Sequence, residues 1–117
     1  MYQVIFYRLP NGTAPAEEFI QDLEEGIRAK ALRSIGLLEE NGPDLGMPFS
    51  RFLVRGIYEL RIQESGNAVR VLYFFMKGRT AVLTHGFVKK TQTTPLREID
   101  RARRYRTDFE SGGLANG

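Results

Sequence analysis

Three runs of β-branched and aromatic residues, separated by short turn signals, fill the middle of the chain. They are residues 57–63, 69–76 and 80–90, with Gly66 and Gly78 in the two turns between them. Runs of this composition and spacing predict a three-stranded antiparallel meander. In the first run, Tyr58, Leu60 and Ile62 alternate to one side, and Glu59, Arg61 and Gln63 alternate to the other. We therefore expect one face of the sheet to pack on a core and the other to present charge.

The first forty residues predict a strand followed by two helices. Residues 1–8 are rich in β-formers and favour a strand beside the meander. From Pro15 to about Glu40, apolar positions recur at helical spacing. Gly26 interrupts this pattern, so we expect a helical hairpin whose apolar side covers the apolar face of the sheet.

The end of the chain predicts one further helix. Thr94 and Pro95 combine a capping residue with an early proline, and apolar positions continue at helical spacing to about Phe109. Residues 111–117 are expected to form a flexible tail. The whole pattern predicts an α+β fold in a single domain, residues 1–110. We expect a small, twisted antiparallel sheet, mixed at the first strand, with the helical hairpin on one face and a C-terminal helix.

The positive charge is concentrated in the second half of the chain. Residues 1–50 hold 4 Lys/Arg and 8 Asp/Glu, net −4, whereas residues 51–107 hold 13 and 4, net +9. So uneven a distribution suits a polyanion, nucleic acid first, or an acidic protein partner. The alternative is solvated surface charge that serves solubility. The chain has no cysteine and no apolar run near the ~20 residues of a membrane span, so we expect a cytoplasmic protein that does not enter a membrane.

Few catalytic arrangements are compatible with these residues. No glycine-rich phosphate loop occurs, and His85 is the only histidine, so a multi-histidine metal site is excluded. We expect neither a metal nor a cofactor. What remains is a group of cations on the predicted strands, with two aromatic residues between them: Arg61, Arg70, Lys89 and Lys90, with Tyr73 and Phe87. Such cations bind phosphate and stabilise the charge that develops when the 2′-hydroxyl of RNA attacks its own phosphodiester. Tyr73 fits a base-stacking position and a core position equally well.

These same segments resemble a known family. The segments Leu53–Arg61, Val69–Tyr73 and His85–Thr91, followed by Thr94-Pro95 before a basic helix, are similar to the RelE/ParE superfamily of toxins. They are most similar to its phage-derived, HigB-like branch. The likeness covers nearly the whole chain, including the order strand, helical hairpin, three strands, helix. It implies a RelE-like fold.

The resemblance also implies a function. The protein is expected to be the toxin of a type II toxin–antitoxin system, a metal-independent mRNA endoribonuclease that acts on translating ribosomes. Arg61, Arg70 and Lys90 are expected to bind and polarise the scissile phosphate, and Lys89 is expected to bind RNA. The implied partners are mRNA, the ribosome and a cognate antitoxin of helix-turn-helix type, in a toxin–antitoxin hetero-oligomer. The last helix carries a basic stripe that we expect to contact ribosomal RNA: Arg97, Arg101 and Arg104.

The residues leave two questions open. The ribosome-dependent members of the superfamily place a catalytic tyrosine just after the last strand, and residues 91–96 contain none. Proton transfer therefore has four candidates, Lys89, Lys90, Glu59 and His85, of which histidine has an ordinary pKa of ~6.5. The second question is the activity itself. ParE-type relatives poison DNA gyrase without cutting RNA, and a non-catalytic RNA-binding module would use the same groups.

Overall fold

The computed structural model describes residues 1–116, which form five strands and three α-helices. In chain order these are β1 (Gln3–Phe6), α1 (Pro15–Gln21), α2 (Glu25–Asn41), β2 (Ser50–Val54), β3 (Ile57–Glu64), β4 (Asn67–Met76), β5 (Thr80–Val88) and α3 (Leu96–Asn116). A short 3₁₀ turn at Gly42–Asp44 follows α2. Among the described residues, no helix combines the length and the apolar character needed to cross a bilayer.

All five strands belong to one sheet with the order β1-β5-β4-β3-β2. Every neighbouring pair is antiparallel except β1 and β5, which run parallel. Ser65 and Gly66 both have positive φ, as a two-residue hairpin turn between twisted strands requires. Arg55 and Gly56 have the same property between β2 and β3. The predicted α+β class, the meander and the mixed pairing at the first strand are confirmed.

Helices α1 and α2 cover one face of the sheet. The main core lies beneath them and contains Leu60, Ile62, Val71, Tyr73 and Leu83 from the strands, together with Ala16, Ile20, Ile27, Ala31 and Leu38 from the helices. The approach is close where α1 crosses β5, because a Cβ atom added to Gly86 would lie 2.2 Å from a ring carbon of Phe19. Glycine at position 86 therefore permits the helix to pack directly on the strand.

Helix α3 covers part of the opposite face, which the sequence pattern predicts to be charged. A second core lies there, built from Ile57, Leu72, Phe74 and Val82 of the sheet, Tyr7 and Ala102. The prediction of a single apolar face is therefore incomplete. The physical reason is that the central strands are apolar on both sides over much of their length. Only the part of this face that α3 leaves uncovered is free to bind a ligand.

Two predicted boundaries differ from the structure. The two N-terminal helices are separated at residues 22–24, and Gly26 lies within the first turn of α2 instead of forming the break. The last helix continues to Asn116, so the predicted tail, residues 111–117, overlaps it. Gly117 lies outside the described residues.

Candidate functional site

An open groove of about 530 Å³ lies on the α3 side of the sheet, next to the loop that leads from β5 into α3. Its lining is mostly polar, and four of the eight residues are cations: Arg61, Gln63, Ala68, Arg70, Lys89, Lys90, Thr91 and Gln92. Three of these residues, Arg61, Gln63 and Arg70, also line a smaller cavity at the β2 side of the sheet. We call the first cavity the cationic groove.

Strand pairing explains why the cations meet. Arg61 of β3 and Arg70 of β4 are directly opposed in the antiparallel register, so their side chains leave the sheet on the same face. The backbone N–H of Lys89 donates to the carbonyl of Ala68 at 2.9 Å, which holds the end of β5 against β4. This contact brings Lys89 and Lys90 to the same groove. The structure thus brings together Arg61, Arg70 and Lys90, and their catalytic role stays a prediction.

The guanidinium of Arg70 forms an ion pair with the buried carboxylate of Glu59. The side chain of Arg70 is 4% exposed and that of Glu59 is 0% exposed, and Arg70 Nε lies 3.8 Å from Glu59 Oε1. Arg51 Nε lies 3.1 Å from the other carboxylate oxygen. The hydroxyl of Thr94 donates to Glu59 Oε1 at 2.5 Å. Glu59 therefore joins β2, β4 and the loop before α3.

The groove concentrates positive charge. Burial lowers the pKa of Arg70, with Arg61 and Arg51 acting in the same direction and Glu59 opposing them. The pKa of Lys89 is also lowered, first by burial and then by Arg70 and the other arginines, again against Glu59. The Lys89 ammonium donates to the Gln92 carbonyl at 2.6 Å. An anion in the groove would relieve this mutual repulsion, and a phosphate diester has the appropriate charge and oxygen acceptors.

Comparison with known proteins identifies the family. The model of the family described as "Phage derived protein Gp49-like (DUF891)" matches residues 18–107, about three quarters of the chain. The chain belongs to the Gp49-like family. A search of curated proteins finds none that matches it. The Gp49-like region begins inside α1 and includes the whole cationic groove with Glu59 and Thr94, whereas β1 lies outside it.

Two of the predicted proton carriers of this Gp49-like protein do not face the groove. Glu59 is fully buried beneath Arg70. His85 is 1% exposed and lies under α3, where its Nε2 is 3.0 Å from Glu98 Oε1 and its Nδ1 is 3.1 Å from the Thr84 hydroxyl. Burial lowers the pKa of His85 to about 4, with Arg101 as the next cause and Glu98 opposing. Neither side chain can contact a substrate in this structure, because the helix and the arginines cover them.

Tyr73 is also placed away from the groove. It is 1% exposed and packs in the core beneath α1 and α2, on the opposite face of the sheet. Its hydroxyl forms a short hydrogen bond with Ser50, and its ring stacks on Tyr58 at a centroid distance of 5.4 Å. The stacking role predicted for Tyr73 needs correction, since its side chain shares a face with the core residues Val69 and Val71.

The three arginines predicted as an RNA-binding stripe on α3 differ in their surroundings. Arg97 has 81% of its side chain exposed and lines a small cavity beside the groove, together with Lys90. Arg101 is half-buried, and its Nε donates to the hydroxyl of Tyr105 at 3.0 Å. Arg104 is exposed further along the helix. Only Arg97 therefore adjoins the cationic groove.

Six residues of the site are absent from the sequence-based set, among them Ala68 and Thr91, which line the groove. Gln63 lines the groove two positions after Arg61 on the same face of β3, and the alternation of that strand indicates this. Gln92, Arg51 and Thr94 reach the site through tertiary contacts. No local pattern in the sequence points to these three.

Proposed function

We propose that this protein is the toxin of a type II toxin–antitoxin system and that it cleaves mRNA on translating ribosomes. Two findings support the proposal. The Gp49-like family is associated with toxin–antitoxin systems. The observation that carries the proposal is the convergence of Arg61, Arg70, Lys89 and Lys90 on one open groove. The groove is open, and its cations are those that bind phosphate.

In the proposed reaction the RNA supplies its own nucleophile. The 2′-oxygen loses its proton to solvent and attacks the adjacent phosphorus, and the bond from phosphorus to the 5′-oxygen of the next nucleotide breaks. The products are a 2′,3′-cyclic phosphate and a 5′-hydroxyl. Arg61, Arg70 and Lys90 stabilise the additional negative charge of the phosphorane. They also hold the phosphate in line with the 2′-oxygen, which removes much of the entropic barrier.

Lys89 is the group that we assign to proton transfer. It lines the groove, and its pKa is lowered by burial and by the neighbouring arginines. A lysine with a lowered pKa releases its proton more readily, so Lys89 is suited to protonate the leaving 5′-oxygen. Glu59 and His85 have no such access, because both are buried and, unlike Arg70, neither lines the groove.

Contacts outside the groove would align the protein on the ribosome. Arg97 extends the positive surface of the groove onto α3, and Arg104 continues it along the exposed side of the helix. Phosphate contacts of this kind give affinity without sequence preference. An antitoxin that inactivates the protein would cover the same cations with an acidic segment, because its negative charge would complement the positive charge of the groove.

Induction in a bacterial host tests the proposal. We expect wild-type protein to arrest growth and to produce new 5′ ends within translated transcripts. Arg61→Ala removes one phosphate-binding cation and should abolish both effects. Glu40→Gln removes a charge from an exposed position on α2 and should retain them, so it serves as a control variant.

Intact transcripts together with gyrase-dependent DNA breaks would contradict the proposal and favour a ParE-like gyrase poison. Harmless expression of soluble wild-type protein would favour a non-catalytic RNA-binding module.

A further inference from the structure

We propose that Glu59 is a positioning residue that acts through Arg70. It would hold the Arg70 guanidinium in one orientation and anchor the loop that carries Lys89 and Lys90. The consequence for catalysis rests on the proposed function, whereas the positioning itself does not.

Glu59 lies at the junction of the elements that build the groove. It belongs to β3, it faces Arg51 of β2 and Arg70 of β4, and it accepts a hydrogen bond from Thr94 in the loop before α3. Oε1 is shared between Thr94 at 2.5 Å and Arg70 Nε at 3.8 Å, and Oε2 faces Arg51 Nε at 3.1 Å. With 0% of its side chain exposed, Glu59 can influence a ligand only through these neighbours.

The pair is incompletely satisfied. Arg70 Nε and Glu59 Oε2 are both buried and form no well-aligned hydrogen bond among the described residues, although Arg51 Nε lies 3.1 Å from Oε2 as an ion-pair contact. A buried ion pair with unsatisfied polar atoms contributes little to the free energy of unfolding, because the cost of desolvating the two charges offsets their attraction. Buried polar atoms without a hydrogen-bond partner are uncommon in folded proteins, and a functional role is one explanation for them. The geometry of the pair therefore favours a role in holding Arg70 towards the groove.

The same carboxylate anchors the loop between β5 and α3. The Thr94 hydroxyl fixes the end of this loop to Glu59. Within the loop, the Thr91 hydroxyl donates to the Thr93 carbonyl at 2.7 Å, and the Lys89 ammonium donates to the Gln92 carbonyl at 2.6 Å. Loss of the Glu59 contact would leave the Arg70 guanidinium held by the Val69 carbonyl alone, at 3.0 Å from Nη1, and would free the Thr94 end of the loop. The cations of the groove would then be less precisely placed.

The burial of Glu59 is compatible with a positioning role and excludes direct proton transfer with the substrate. A general base must lie within hydrogen-bond reach of the 2′-hydroxyl, and Glu59 is covered by two guanidinium groups. A positioning residue instead sets the rate of the chemical step and leaves most of the binding affinity in place. Misplacement of a catalytic group by about 1 Å costs on the order of 10²-fold in rate.

The test compares Glu59→Gln with the wild-type protein and with Glu40→Gln. Glu59→Gln keeps the size of the side chain and an acceptor for Thr94, and it removes the charge that orients Arg70. Cleavage of ribosome-bound mRNA is measured at saturating protein, and RNA affinity is measured separately. We expect the rate to fall by about 10²-fold while affinity changes little. Glu59→Asp, which retains the charge, should recover part of the rate.

NMR of the arginine Nε–Hε groups provides the structural readout. In the wild-type protein we expect a protected Arg70 signal that shifts on addition of inorganic phosphate, and in Glu59→Gln we expect the protection to be lost. Thr94→Val serves as a second variant if Glu59→Gln does not fold, since it removes one hydrogen bond and should slow cleavage while leaving the ion pair intact. Equal protection of Arg70 in folded Glu59→Gln, or an unchanged cleavage rate in either folded variant, would overturn the inference. If wild-type protein cleaves no RNA, the proposed function fails, and the Arg70 signals still decide whether Glu59 positions the guanidinium.

Discussion

The two arginines of the cationic groove should respond differently to removal, although both are proposed to bind phosphate. Arg61 is half-buried, and its Nη1 contacts the sulfur of the exposed Met47 at 3.2 Å. Arg70 is buried and paired with Glu59. We predict that Arg61→Ala and Arg70→Ala both lose cleavage activity, and that only Arg70→Ala loses substantial stability.

The expected stability difference follows from the Glu59 contacts. At 3.8 Å the attraction between Arg70 and Glu59 is about 4 kcal/mol at an effective dielectric constant near 20, before desolvation is subtracted. Removal of one member of a buried pair costs about 3–5 kcal/mol, because the other charge stays buried. Here Arg51 and Thr94 continue to contact the carboxylate, so we expect a loss of about 2–3 kcal/mol, equivalent to a fall in Tm of roughly 10 °C. Arg61→Ala should cost no more than about 1 kcal/mol.

Urea denaturation at neutral pH and cleavage of ribosome-bound mRNA measure the two effects on the same samples. Activity is compared at a temperature where each variant is fully folded, so that a stability loss is not mistaken for a catalytic one. Equal stability of the two variants would refute the role assigned to the Glu59 pair. Full activity of folded Arg61→Ala would refute the assignment of the groove as the active site.

Three further predictions concern His85, Lys90 and a pair of glycines in β5 and α2. The pKa of His85 is about 4 in the folded protein against an ordinary ~6.5, so its contribution to stability is present above pH ~6.5 and is lost as the pH falls towards 4. Urea titrations at stepwise pH should show this loss, with a slope of at most about 1.4 kcal/mol per pH unit, and the same slope in His85→Gln would contradict it. Lys90→Ala should lower the salt dependence of binding to labelled single-stranded RNA by about 0.7 in log–log slope, and an unchanged slope would show that Lys90 contacts no phosphate. Gly86→Ala should destabilise the protein by about 1–3 kcal/mol, because its Cβ would overlap Phe19. Gly36→Ala should stabilise the protein by up to about 1 kcal/mol, because a Cβ atom at this position of α2 would meet no other atom within 4 Å. Thermal unfolding of the Gly86→Ala and Gly36→Ala variants measures both effects.

The convergence of the cations could be predicted because it depends on local signals. Alternation in β3 assigns Arg61 to one face, and the Ser65-Gly66 turn between two β-type runs predicts a two-residue hairpin. Residues equidistant from such a turn are paired, which places Arg61 opposite Arg70. The alternation of β4 likewise places the side chain of Tyr73 on the same face as that of Val71. The position of Tyr73 in the core could therefore have been predicted from the sequence.

The buried parts of the site could not be predicted in this way. Glu59 alternates with apolar residues like any exposed polar side chain, and its burial results from Arg51, Arg70 and Thr94, the last of which is 35 positions away in sequence. His85 likewise becomes buried only when α3 packs over β5. Such contacts depend on where one helix lies across the sheet, and sequence periodicity does not specify that placement.

The chemical nature of the RNA ends tests the central claim most directly. Purified protein is incubated with ribosomes that carry a defined mRNA, and the termini of the products are identified by their susceptibility to a polynucleotide kinase with and without its 3′-phosphatase activity. Attack by the 2′-oxygen, stabilised by the cations of the groove, predicts 2′,3′-cyclic phosphate and 5′-hydroxyl ends that disappear in Arg61→Ala. Ends with a 3′-hydroxyl and a 5′-phosphate, or cleavage that persists in folded Arg61→Ala, would contradict the account.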